Sequence, residues 1–66
     1  MQITVNGKTR DIGAAATMAE LLRQLGLDPA RVAVEHNLAI VPQTSFAATS
    51  IAEGDTLEIV QFVGGG

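Results

Sequence analysis

The chain opens with "MQITV", where Ile3 and Val5 fall on one side of an extended segment and Gln2 and Thr4 on the other. That is the period of a half-buried strand. Asn6-Gly7 follows, the strongest short hairpin signal a sequence offers. A two-residue loop would set Ile3 opposite Arg10, whereas a four-residue loop over Asn6 to Thr9 would set Ile3 opposite Ile12. The longer loop keeps the apolar face continuous and is the expected register. Further on, "TMAELLRQLGLDP" carries Met18, Leu21, Leu22 and Leu25 at helical spacing. Thr17 and Glu20 have the spacing of a capping box at its start, and Gly26 and then Asp28-Pro29 stop it. The stripe is core and no cofactor box, because nothing polar is aimed from it.

The second half returns to strands. "RVAVEHNLAIVP" holds two short apolar runs, Val32 with Val34 and Ile40 with Val41, around a turn in which Asn37 can adopt a left-handed conformation. "QTSFAATS" is polar and small apart from Phe46, and is expected to make one helical turn that tucks Phe46 and Ile51 into the core. "EGD" marks a turn before the last strand, "TLEIVQFV". The order strand, strand, helix, strand, short strand, strand predicts an α+β domain: a sheet of four to five strands crossed by one helix.

At 66 residues there is room for one small core, since a chain of this size buries only about 60% of its unfolded surface. Apolar residues make up 47% and charged residues 17%, a mix that belongs to a folded globule and not to a disordered segment. The net charge is −3, and the four cations Lys8, Arg10, Arg23 and Arg31 are scattered. With two Phe and neither Trp nor Tyr, the chain has neither the basic footprint nor the stacking platform of a nucleic-acid binder. No signal-like segment opens it and no apolar run approaches the length that spans a bilayer, so a cytoplasmic location and no membrane contact are expected. Absence of cysteine removes disulfides, thiolate metal sites and any sulfur chemistry that needs a thiol of the protein's own.

Catalytic candidates are thin. His36 is the single histidine and is read as a solvated strand-end residue, because "EHN" supplies no metal or triad partner. Glu53, Asp55 and Glu58 lie close in sequence, but Asp55 reads as a turn former and Glu58 as an outward side chain. No serine or threonine sits in a nucleophile elbow or phosphate loop. No enzyme constellation is therefore expected, and no metal site.

Two features remain. If Leu57 and Ile59 face the core, Glu58, Val60 and Phe62 share the opposite face, an apolar patch beside a charge that suggests partner docking. Then comes "GGG", residues 64–66, read as a flexible tail on a domain spanning 1–63. Glycine lacks a side chain, so Gly64 and Gly65 can lie extended in a channel too narrow for a Cβ. They would carry the Gly66 carboxylate, ionised at neutral pH, into another protein's active site, where it can attack an activated phosphate and become an acyl-adenylate.

Together the opening strand–turn–strand, the "TMAELLRQL" helix, "VAVEHN", "IVP" and "EGDTLEIVQFVGGG" resemble the ThiS family, the sulfur carriers of thiamine biosynthesis, over the whole chain. The resemblance implies the ubiquitin-like β-grasp fold, a mixed sheet with one helix. It implies a carrier that is a substrate of enzymes and not itself one. An adenylyltransferase of the ThiF type would use ATP and magnesium, with no cofactor held by the chain itself, to adenylate Gly66. Sulfur from a donor such as a cysteine desulfurase would then give a thiocarboxylate for thiazole synthase. The carriers of molybdopterin synthesis and ubiquitin-like modifiers share fold and diglycine. The rival of a different class is a β-grasp interaction module in which the glycines are incidental.

Overall fold

The computed structural model describes residues 1–63; the expected tail, 64–66, lies outside the described residues. Strands β1 (Gln2–Val5) and β2 (Lys8–Asp11) form the first hairpin, followed by helix α1 (Met18–Gln24) and a 3₁₀ turn over Pro29–Arg31. Strands β3 (Val32–His36) and β4 (Ala39–Val41) form the second hairpin, a 3₁₀ segment covers Gln43–Ala48, and β5 (Thr56–Gln61) is the last strand. The sheet order is β2-β1-β5-β3-β4, with β1 and β5 parallel at its centre and the other neighbours antiparallel.

The first hairpin corrects the expected register. Val5 pairs with Lys8 and Ile3 with Arg10, so the loop is the two-residue Asn6-Gly7 and not the four-residue one. Asn6 at φ 50° and Gly7 at φ 81° have the positive values a type I′ turn needs, which Asn-Gly adopts at little cost and whose twist matches the strands. Continuity of the apolar face exerts no pull here, because β2 is an edge strand exposed at all four positions.

Helix α1 starts as its caps dictate. The Glu20 amide donates to Thr17 Oγ1 at 3.3 Å, while the Glu20 carboxylate reaches one residue further back than the usual box and accepts from the Ala16 amide at 3.4 Å. It ends in a Schellman motif around Gly26 (φ 75°), with the Leu27 and Gly26 amides donating to the Leu22 and Arg23 carbonyls. Met18, Leu21 and Leu22 are fully buried against Ile3, Val5, Val32, Val34, Leu57 and Ile59 from the inner face of the sheet. Phe46 and Ile51 complete this core, as expected from the 3₁₀ segment.

Both hairpin turns grip β5 through an asparagine. Asn6 donates from Nδ2 to the Ile59 carbonyl at 3.1 Å and accepts from the Ile59 amide at 2.8 Å, so its side chain acts as a surrogate strand residue where β1 has ended. On the opposite side, the Asn37 amide donates to the Thr56 carbonyl and Asn37 Oδ1 accepts from the Thr56 amide at 2.9 Å. The second turn is also type I′ in its angles, Asn37 at φ 48° and Leu38 at φ 74°. A leucine in that region carries a steric cost that glycine avoids.

Candidate functional site

Burial alternates along β5: Leu57 and Ile59 are buried, and Thr56, Glu58, Val60 and Gln61 are exposed. Glu58, Val60 and Phe62 therefore fall on one side, the outer face of the sheet, which α1 does not cover. Val60 is 60% exposed and Phe62 53%. Phe62 lies just past the strand, yet its amide still donates to the Arg31 carbonyl at 2.8 Å, so backbone pairing runs on one residue beyond Gln61 and keeps Phe62 on this face. Gly64, Gly65 and Gly66, the proposed tail and modification site, lie outside the described residues.

Strand pairing adds neighbours that the sequence pattern did not single out. Ala33 is the partner of Val60 and Glu35 of Glu58 across the β3–β5 ladder, and Ile40, 74% exposed, is the partner of Glu35 on β4. Opposed residues in a ladder share a face, so Ile40, Glu35, Glu58, Ala33, Val60 and Phe62 form one surface. The signal available beforehand was the alternation "VAVEH", which puts Ala33 and Glu35 outward; what the sequence lacked was the register that sets them beside β5.

His36 is not the solvated residue expected. Its Nε2 sits 2.7 Å from Asp55 Oδ2, in a pair that is mostly buried, because the antiparallel β3–β5 ladder brings the end of β3 to the loop that starts β5. Asp55 also accepts from the Ala52 amide at 2.9 Å and from Asn37 Nδ2 at 3.2 Å, so it is a turn former as well. Burial works to raise the Asp55 carboxyl, but the hydrogen bonds from His36, the Ala52 amide and Asn37, with the charge of His36, together hold it below its ordinary value. Glu53 accepts instead from the Gln2 amide at 2.9 Å, and Glu58 stands on the other face. The three carboxylates do not converge, and among the described residues no group of three or more metal-ligating side chains comes together.

A cleft of about 190 Å³ lined by Val5, Asn6, Arg10, Leu25, Leu27 and Ile59 opens beside the end of α1. It is smaller than the roughly 300–1,000 Å³ of small-molecule sites. Among the described residues no helix is long and apolar enough to cross a membrane.

The model of the ThiS family matches residues 3–66. The chain belongs to the ThiS family. A ThiS crystal structure, that of a thiamine biosynthesis protein from Geobacter metallireducens, superposes with a TM-score of 0.83 at 36% identity and covers both chains completely. The fold is accordingly the β-grasp. The sulfur carrier protein ThiS of Escherichia coli is 35% identical over 66 residues, all of both chains. The thiazole synthase of Paramagnetospirillum magneticum is 48% identical over 66 residues, all of this chain but 20% of that protein, and that of Magnetococcus marinus is 41% identical over the same share. The chain thus spans about a fifth of the length of these thiazole synthases, each of which contains a ThiS-like region.

Proposed function

We propose that this protein is a sulfur carrier of thiamine biosynthesis whose reactive group is the carboxylate of Gly66. The observation that carries the proposal is the family match running through the last strand to residue 66, so the glycine end is inside the region of likeness. A last strand, β5, that ends at Gln61, with only Phe62 and Val63 between it and a side-chain-free segment of the sequence, supports it, as does the absence of cysteine: the sulfur would sit on the chain end.

The chemistry follows from the carboxylate. Its negative charge repels nucleophiles and oxide is a poor leaving group, so it must first be activated. In the active site of an adenylyltransferase of the ThiF type, with ATP and magnesium, a Gly66 oxygen attacks the α-phosphorus and pyrophosphate leaves, giving an acyl-adenylate. A sulfur nucleophile derived from a donor such as a cysteine desulfurase attacks the carbonyl carbon and AMP leaves. When that nucleophile is a persulfide, the acyl disulfide formed is cleaved by a thiol of the partner enzymes, which pairs with the donor's sulfur in a disulfide and releases a proton; the chain end is left as a thiocarboxylate, whose sulfur passes to thiazole synthase. Gly64 and Gly65 serve as the thread through the partner's channel. The face bearing Glu58, Val60 and Phe62 docks the partner while the tail is engaged. The chain itself catalyses none of these steps.

Incubation with ATP, magnesium, a cognate adenylyltransferase and a sulfur donor is expected to raise the intact mass by the difference between sulfur and oxygen, with the change mapping to Gly66. One alanine appended after Gly66 would displace the carboxylate by about 3.3–3.6 Å, outside a near-attack geometry, and should abolish loading. Full loading of the extended protein, or sulfur on a side chain of the parent, would overturn the carrier chemistry and favour an interaction module.

A further inference from the structure

Glu35 and Glu58 are directly opposed on the outer face, with side chains about 4.5–5.5 Å apart at Cβ, an arrangement of like charges that weakens a sheet. Among the described residues no cation forms an ion pair with either glutamate. Lys8 and Arg10 are partners of Val5 and Ile3, which places them on the inner face and at the far edge. Arg23 belongs to α1, across the sheet. The Arg31 guanidinium lies 3.9 Å from Asp28, and its backbone is about 13 Å from Glu35 along an extended strand. The terminal ammonium lies 3.5 Å from Asp11, and His36 is bound to Asp55. Toward β4 and on the next pair stand apolar side chains, Ile40 beside Glu35, then Ala33 and Val60, with Phe62 beyond, while Thr56 lies on the other side of Glu58.

We propose that the Glu35–Glu58 pair receives an arginine side chain of the activating partner, presented within an apolar surface that covers Ile40, Val60 and Phe62. The identity of that partner rests on the carrier function above; the chemistry of the contact rests on the sheet alone. A guanidinium is planar, offers five donors and is weakly hydrated, so it can bridge two carboxylates while sitting among apolar groups. A divalent metal is a poor occupant, since calcium takes six to eight oxygen ligands and the neighbours at Ile40, Ala33 and Val60 are hydrocarbon. A second copy of this chain docked about a two-fold axis would bring its own glutamates to the same place, adding repulsion. An arginine converts the mutual repulsion of the pair, present in the free protein, into attraction present only in the complex.

The test is titration calorimetry of the cognate adenylyltransferase against the full-length parent, Glu35→Gln/Glu58→Gln and, as a control for net charge, Asp11→Asn on the far edge strand. The double variant is expected to melt at or above the parent's temperature, since repulsion is removed, while its Kd rises about thirtyfold or more, the loss typical of breaking a buried charge pair. Asp11→Asn should stay within about twofold, its charge being distant and screened. Unchanged affinity of the double variant would overturn the proposal, as would an equal loss in Asp11→Asn, which would point to diffuse charge in place of a defined contact. Sulfur loading of parental Gly66 is scored separately. Normal loading with unchanged affinity of the double variant sinks this contact alone, whereas failure of the parent to load sinks the carrier chemistry.

Discussion

The two faces of β5 are built from the same six-residue strand and differ in everything else. Leu57 and Ile59 point inward to α1 and are buried, whereas Glu58 and Val60 on the intervening positions meet solvent. The inner face is complete: each apolar side chain has neighbours from the helix or sheet. The outer face is unfinished by the standard of a folded domain, with exposed Val60, Phe62 and Ile40 around two unrelieved carboxylates. Where the strand alternates, from Thr56 to Val60, stability and recognition can thus be assigned to odd and even positions, and substitutions on the two faces should separate them.

The largest effect is expected on the inner face. Leu57→Ala removes a fully buried side chain from the central strand and should cost about 2–5 kcal/mol, lowering Tm by more than about 10 °C; a smaller loss by thermal circular dichroism would mean that the core closes over the cavity. On the outer face, Phe62→Asp should leave Tm within a few degrees and weaken binding to the adenylyltransferase by more than about 1 kcal/mol, as for an interface hot spot. Unfolding of this variant would place Phe62 in the core and erase the contrast.

A smaller effect belongs to the junction that leads into β5. The Asp55 carboxyl is held below its ordinary value in the fold, so its ionised form stabilises the protein above the unfolded carboxyl pKa of about 3.9, and that stability is lost as pH falls through the depressed folded value. Asp55→Asn should therefore lower Tm at neutral pH and flatten its decline in acid. If parent and variant lose the same number of degrees between neutral and acidic pH, Asp55 contributes nothing to acid sensitivity.

Much of this was legible in advance. Period-two alternation identified β1 and β5 and their buried faces. Helical spacing with Thr17 and Gly26 bounded α1, because caps act within one turn of the chain. The pattern on β5 placed Val60 and Phe62 outward. The first hairpin was misread by letting an apolar face outvote a turn: Asn-Gly fixes its own geometry locally, while an edge strand has no core to serve. His36 was misread for a different reason, since its partner Asp55 lies 19 residues away and no local pattern links them.

Alternation and capping need only neighbouring residues, so the sequence by itself determined the elements, their inner and outer faces and the α+β class; the resemblance of the whole chain then supplied the β-grasp. Register between strands distant in the chain was decided only in three dimensions. The choice of β3 as neighbour to β5 set Glu35 against Glu58 and His36 against Asp55, and the closing of two turns let Asn6 and Asn37 hold β5 from both sides. Those contacts depend on chain closure over tens of residues, where a shift of one residue exchanges the faces of a strand, and the packing of α1 on a single side of the sheet selects the register that buries Leu57 and Ile59.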